Sequence, residues 1–516
     1  MASHHRSEIF ALIFAALIGG WFSPEARADY QRHVVIIVWD GMRPDFVTEQ
    51  NTPALWKLAQ QGVTFKNHHA VYISATNVNG TAIATGDYPG HTGLIANHEF
   101  RPKIDQHKSV DVEVPAVVAK GDRVSGGKYI AVPTIAELVR QNGGSTVVAS
   151  AKTVGLLLDR KPEPKSGVTF AAGRVWPNEL LASLVTVLGQ FPKPHIEQDG
   201  WTTRALTDLF WKTELPAFSL LWLGEPDLTQ HETAPGAPEA IRAIKSSDDH
   251  LAAVLTKLEQ LNAREKTDVF VVSDHGFSTI EHSIDLRKIL HDAGFNVVTE
   301  FQGEPQPDQI MMVGVGGSVL FYLPRNSDAL GQRLIEFLEQ SDYAGVIFTR
   351  NKVEGTFSLA DAKIDAPDAP DIVMAFRWND QKSQFGAVGM IDADWQRGPG
   401  KGTHATLSRF DMHNTLIVAG PDFQKGLTSD LPSGNVDLAP TIMHILGIAS
   451  PQMDGRVLSE AMLTRQRRSP SETKTLAAQK HFPSGNWKQT TQISRVGSTL
   501  YLDQGNGAFL TSHGRD

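Results

Sequence analysis

The sequence has 516 residues, with 48 Lys+Arg against 57 Asp+Glu for a formal charge of −9, and no cysteine. Without cysteine, disulfides, thiolate metal sites, cysteine nucleophiles and Fe–S clusters are excluded, so any metal site must be built from carboxylates and the 19 histidines. The mild acidity and the lack of a long basic run argue against a dedicated nucleic-acid surface, and 41% hydrophobic residues suffice for a sizeable core.

The chain opens with an apolar stretch, Ile9 to Phe22, followed by Pro24 and the small-x-small signature Ala26-Arg27-Ala28. This reads as a signal segment over residues 1–28 cut after Ala28, which places the protein in the periplasm or outside the cell. The stretch is short of the ~20 residues that span a bilayer, and no later segment is apolar enough, so no stable membrane insertion is expected.

Beyond it, His33 to Trp39 is an apolar run without alternation, as a parallel strand buried on both faces requires, and it stops at Asp40-Gly41. The same form recurs at Thr146–Ser150, Phe218–Leu223 and Val269–Ser273, with a further strand at Asn414–Ala419. Helical patterns lie between: Thr52–Gln61 with Pro53 in its first turn, Ile135–Gln141, Pro238–Leu261, and a capped helix over Asn435–Leu446 closed by Gly447. The alternation predicts an α/β fold, a doubly wound and mainly parallel sheet flanked by helices, whose ligands sit beyond the carboxyl ends of the strands. Residues 278–402 break the alternation and are expected to form an insertion or cap. Arg465–Lys474 reads as a solvated linker, and Gln492–Leu502 with the following Gly-rich turn as a small β appendage, so that 29–460 is the catalytic domain and 461–516 linker and appendage.

Polar residues follow these apolar runs in a telling pattern. Asp40 ends the first; Asp227 and His231, four apart, follow the third and can converge on a helical turn or a tight loop; Asp274-His275-Gly276 ends the fourth, where glycine permits a sharp turn. His404 lies just ahead of the last strand. All four elements point to one crevice. His68-His69 and His98 lack metal spacing and are read as structural or as supports behind the ligands.

The motifs Asp40-Gly41-x-Arg43-Pro44-Asp45, Thr76-x-x-Asn79, Thr85-Gly86-x-x-Pro89, Gly93-x-x-x-Asn97, Glu225-Pro226-Asp227-x-x-x-His231, Ser273-Asp274-His275-Gly276, Gly402-Thr403-His404 and Asp437-Leu438-Ala439-Pro440-Thr441 occur in an order that resembles the alkaline phosphatase superfamily, nearest its nucleotide pyrophosphatase/phosphodiesterase branch. The resemblance spans roughly Asp29 to Leu458. It implies an alkaline-phosphatase-like fold and two zinc ions, one held by Asp40, Thr76, Asp274 and His275, the other by Asp227, His231 and His404. It further implies that Thr76 is the nucleophile, forming a phospho-threonine intermediate on a small phosphoester substrate, with Asn97 steadying a non-bridging oxygen. Two divalent cations balance three aspartates and a threonine alkoxide, and metal coordination is what can ionise a threonine near neutral pH.

The sequence departs from nucleotide-cleaving relatives at Asn77, where they carry an aromatic residue able to stack on a base. Ser150-Ala151-Lys152 resembles the Ser-x-Lys segment of monoesterase and phosphonoacetate-hydrolase branches, which would set Lys152 near phosphoryl oxygens, although Val154 stands where their second basic residue is expected. The leading expectation is therefore an exported dizinc phosphodiesterase. The alternatives are a phosphomonoesterase or phosphonoacetate hydrolase-like enzyme, or a zinc-bound scaffold of the same fold.

Overall fold

A computed structural model describes residues 30–511 except 164, 213, 325–326 and 465–469; the signal segment expected over 1–28 lies outside the described residues. The centre is a nine-stranded sheet. In chain order its strands are β1 (His33–Trp39), β2 (Val63–Phe65), β3 (Thr146–Ser150), β4 (Gly167–Ala171), β5 (Arg174–Trp176), β6 (Phe218–Leu223), β7 (Thr267–Val272), β8 (Leu416–Ala419) and β9 (Leu427–Ser429). They lie in the spatial order β9-β2-β8-β7-β1-β6-β3-β4-β5. The run β7-β1-β6-β3-β4 is parallel, whereas β8 runs antiparallel to both β7 and β2.

The unbroken apolar character of β1 follows from its place in the middle. Val34, Ile36 and Val38 enter one hydrophobic core, and Val35, Ile37 and Trp39 enter another on the opposite face. Each face is covered by helices, so neither set of side chains can be polar. On one side the helix Pro238–Gln260 buries Ala240, Ala243, Ile244, Ser247, Asp248, Leu251, Val254 and Leu258, one stripe at helical spacing. Its Asp248 carboxylate accepts the backbone N–H groups of Ala54 and Leu55, both at 2.8 Å, at the start of the helix Pro53–Gln60. A buried carboxylate thus satisfies donors that a helix start leaves unpaired. The helix Ile135–Gln141 instead carries its own capping box, formed by Thr134 and Glu137.

Register sets the level of the site. Val38 pairs with Val272 and Trp39 with Leu223, so β1, β6 and β7 end side by side. The residues that follow all three strands share one edge.

Residues 278–402 contribute most of two smaller sheets: a six-stranded sheet running from Asn296–Val298 to Phe357–Ser358, and a four-stranded one that includes Ser278–Ile284 and Gly402–Thr403. Three local readings need adjustment. The expected helix at 435–446 begins as a 3-10 turn at Asn435–Asp437 before the α-helix Leu438–Ile445. The strand expected over 414–419 begins at Leu416, and the side chains of Asn414 and Thr415 donate to the Ser273 and Met42 carbonyls. Within the expected linker, Ser471–Lys474 already belong to a strand, since Ser471–Phe482, Gly485–Val496 and Thr499–Thr511 form an antiparallel three-stranded sheet. That sheet docks on the six-stranded one through Gln489, whose side-chain amide both accepts from and donates to the backbone of Ile347 (2.7 and 3.1 Å).

At the amino end of β7, burial, with the Asp422 carboxylate alongside, pushes Asp268 up to about 8. The unfolded chain gives up this proton near the ordinary carboxylate range, ~4. The folded protein therefore binds the extra proton between those two values, and stability falls as pH rises through that window. Asp268→Asn is expected to flatten the loss of thermal midpoint between about pH 5 and about pH 8; a variant with the wild-type slope would show that other groups set it.

Candidate active site

Asp40 follows β1, and the turn it begins is clamped from both neighbours. Gly41 has φ +69°, and a Cβ there would come within 2.9 Å of the Phe277 ring, so only glycine lets its N–H donate to Asp274 Oδ1 at 3.0 Å. Met42 N–H donates to Ser273 Oγ at 2.8 Å, and Gln230 Nε2 donates to Gly41 O at 2.9 Å. Asp227 opens the short helix Asp227–Glu232, which brings His231 onto the same face. Asp274 and His275 sit on the turn after β7. That turn passes so close to Phe410 that a Cβ on Gly276 would collide with the Phe410 carbonyl oxygen. Thr76 is the first residue of the helix Thr76–Thr85, and its hydroxyl lies 3.3 Å from His275 Nε2.

The structure thus brings together all seven residues that the sequence motifs single out as ligands. Asp227 Oδ1 is 3.3 Å from His231 Nε2 and 3.6 Å from His404 Nε2. His275 Nε2 is 3.2 Å from Asp274 Oδ2 and 3.6 Å from Asp40 Oδ1. Donor atoms within 4.8 Å of one another form two groups, Asp40–Asp274–His275 and Asp227–His275–His404, with the His275 ring common to both.

Whether these residues suit metal ions can be decided from their other contacts. Asp40 Oδ1, Asp227 Oδ1 and Asp274 Oδ2 are buried and make no hydrogen bond, an expensive arrangement for a carboxylate unless a cation is close. In each histidine, Nδ1 faces a backbone carbonyl: Gly402 O for His231 (3.1 Å), Gly276 O for His275 (2.9 Å) and Ser74 O for His404 (2.8 Å). Nδ1 therefore carries the proton, and Nε2 turns its lone pair to the carboxylates, the orientation that second-shell carbonyls impose on metal-binding imidazoles. The donor set fits zinc or a similar first-row divalent ion.

Lys152 reaches the centre from beyond β3. Its Nζ lies 2.9 Å from Asp40 Oδ2 and 3.0 Å from Asp227 Oδ2, so the contacts it makes are with carboxylates. Burial works against its charge, but Asp227, Asp40 and Asp274 hold its pKa well above the usual lysine value. Burial, with Asp227 and Asp274 close by, raises Asp40 well above the carboxylate range. For Asp227 burial acts in the same direction but is outweighed by Lys152, His231 and His404, which hold it well below. Burial, aided by His275 and His231, keeps His404 well below the ordinary imidazole value and therefore neutral, as a ligand must be. One lysine cannot balance three aspartates, and the charge left over is of the sign that divalent cations neutralise.

Several residues that shape the site carry no signal of their own in the sequence. Trp222 reads as one more apolar strand residue, yet its indole N–H donates to Asp40 Oδ2 at 2.8 Å. Asn435 donates to Asp274 O at 2.7 Å and to Asn79 Oδ1 at 2.9 Å, tying the turn that carries Asp274 to the helix that starts at Thr76. Asn97, half-buried, accepts the Asn77 N–H at 2.9 Å through its side-chain oxygen.

The family described as type I phosphodiesterase / nucleotide pyrophosphatase matches residues 34–380, and the chain belongs to it. It is 28% identical over 264 residues to human ectonucleotide pyrophosphatase/phosphodiesterase family member 1, covering 49% of this chain and 24% of that protein. It is 25% identical over 259 residues to a venom phosphodiesterase of Naja atra, covering 48% of this chain and 27% of the relative. The aligned stretch thus spans about a quarter of the length of these relatives. Among solved structures, an inactive variant of murine ectonucleotide pyrophosphatase/phosphodiesterase 5 in complex with AMP superposes with a TM-score of 0.60 at 15% identity, covering 84% of this chain and 100% of that one, a likeness of fold.

Trp222→Phe removes the donor to Asp40 and keeps the packing. It is expected to weaken divalent-metal retention roughly 10- to 100-fold in a zinc competition titration; unchanged affinity would mean that Lys152 alone orients Asp40.

Proposed function

We propose that this protein is an exported dizinc phosphodiesterase/nucleotide pyrophosphatase-like hydrolase that uses Thr76 as its nucleophile. The observation that carries the reading is the position of the Thr76 hydroxyl, at the start of a ten-residue helix and 3.3 Å from the His275 ring that both carboxylate groups share. The cations would be divided as the motifs divide them, with Asp40, Thr76, Asp274 and His275 at one and Asp227, His231 and His404 at the other. Bound there, they would supply the charge that favours an ionised threonine and stabilises negative oxygens as they develop.

The chain's own residues account for the rest. Thr76 Oγ, having given its proton to solvent, attacks phosphorus as the bond to the leaving oxygen breaks, and the departing alkoxide takes a proton from water. Water then attacks the phospho-threonine and regenerates the hydroxyl. Asn97, its carbonyl committed to Asn77, would offer its NH2 to a non-bridging oxygen, together with the backbone N–H of Thr76 at the nucleophile. Lys152 holds both Asp40 and Asp227 in place and favours the ionised form of Asp227. The signal segment over 1–28 and a catalytic unit over 29–460 belong to the same proposal.

Asn77 is 2% exposed, so a base would find no stacking platform there. A small phosphodiester, rather than a substrate chosen by its base, suits the site. Bis(p-nitrophenyl) phosphate is expected to be cleaved faster than p-nitrophenyl phosphate or phosphonoacetate, with chelator abolishing the activity; a large monoester preference would reverse the assignment. Thr76→Ala is expected to keep its metal content while kcat falls by at least about a thousandfold. Turnover near wild type in that variant would remove the nucleophile.

A further inference from the structure

A second cluster of metal-ligating side chains lies apart from the carboxylate centre. His69, His413 and Asp503 place donor atoms within 4.8 Å of one another. His69 precedes the loop that leads to Thr76, His413 follows the short helix Arg409–Met412, and Asp503 lies on the strand Thr499–Thr511 of the C-terminal sheet. We propose that these three residues form a further zinc site, structural in role, that fastens the C-terminal sheet to both arms of the active site.

The argument rests on how each donor is prepared. His69 is 1% exposed and its Nδ1 faces the Ser433 carbonyl at 2.8 Å, which leaves the lone pair on Nε2. That is the arrangement of His231, His275 and His404 in the catalytic centre. Its neighbour His68 shows the contrasting case, with both ring nitrogens occupied, by Ser433 Oγ (2.9 Å) and Asn435 Oδ1 (3.0 Å). Asp503, 5% exposed, uses one oxygen to accept from Ser494 Oγ at 2.9 Å, leaving Oδ1 over. His69 Nε2 and Asp503 Oδ1 approach to 2.7 Å, yet neither is satisfied by a hydrogen bond, because the approach is off the bonding direction. Two such buried atoms call for a shared proton or a cation, and a third donor beside them favours the cation. His413 stands beside them, its ring centroid 4.5 Å from that of His69, and its partial exposure gives an ion a way in. Two imidazoles and one carboxylate, with no sulfur, make a zinc donor set with room for a water.

The site would connect directly to the catalytic turn. Asn414, next to His413, donates to the Ser273 carbonyl and to Asn435 Oδ1, and Asn435 donates to Asp274 O. An ion holding Asp503 therefore fixes the C-terminal sheet against the backbone that presents Asp274 and His275.

Zinc-loaded protein, cleared of loose metal by gel filtration, would be assayed for zinc per chain by mass spectrometry. Asp503→Asn, which keeps the size of the side chain, is expected to hold one equivalent less than wild type, and its thermal midpoint to lose the last zinc-dependent increment. His413→Gln, at a partly exposed position, is expected to show the same deficit even if Asp503→Asn folds poorly. The count is a difference between proteins and so does not depend on how many ions the catalytic centre holds. Wild-type zinc content in His413→Gln, or in a folded Asp503→Asn, would overturn the proposal and leave an ion pair between His69 and Asp503.

Discussion

Three aspartates, Asp40, Asp227 and Asp274, converge at the ends of three adjacent strands, all essentially without solvent. So much like charge in a dry place is unfavourable unless it is compensated, and the rest of the structure can be understood as the means of bearing it. The parallel register of β7, β1 and β6 brings the carboxylates together. Backbone N–H groups, Trp222 and Lys152 take one oxygen of each. The other three oxygens are left facing imidazole nitrogens. Removing one partner from such a network leaves a buried charge unpaired, which costs several kcal/mol, more than most single contacts in a core.

Much of this was legible from the chain, for a definite reason. A parallel strand buried on both faces is apolar along most of its length, so the runs His33–Trp39 and Val269–Ser273 stand out, and the polar residues after them are marked by position alone. Gly276 was legible as a turn residue and Gly41 only as the stop of the first apolar run; the close approaches of Phe410 and Phe277 give both a packing reason. The spacing of Asp227 and His231 left a helical turn or a tight loop open, and the structure has the helix. The ligand motifs also gave a family resemblance, which the match over residues 34–380 bears out.

What stayed hidden depends on contacts between distant segments. Trp222 is indistinguishable in sequence from any strand tryptophan, because its role lies in one N–H that meets Asp40, 182 residues away. Lys152 gave a local hint of phosphoryl contact, while the fold directs its amine at carboxylates. His69 and Asp503 are separated by most of the chain, and no spacing rule connects them. The C-terminal sheet was read as a small appendage; its strands are long, and Gln489, Asp503 and Tyr501 all reach into the body of the protein.

The central claim is that the carboxylate cluster exists to hold two divalent cations beside Thr76. The direct measurement is anomalous diffraction at the zinc edge from crystals of zinc-loaded protein. The account predicts two peaks in this centre, one among Asp40, Asp274, His275 and the Thr76 hydroxyl, the other among Asp227, His231 and His404. A single peak there, or none, with the Lys152 amine left as the sole compensating charge, would contradict it.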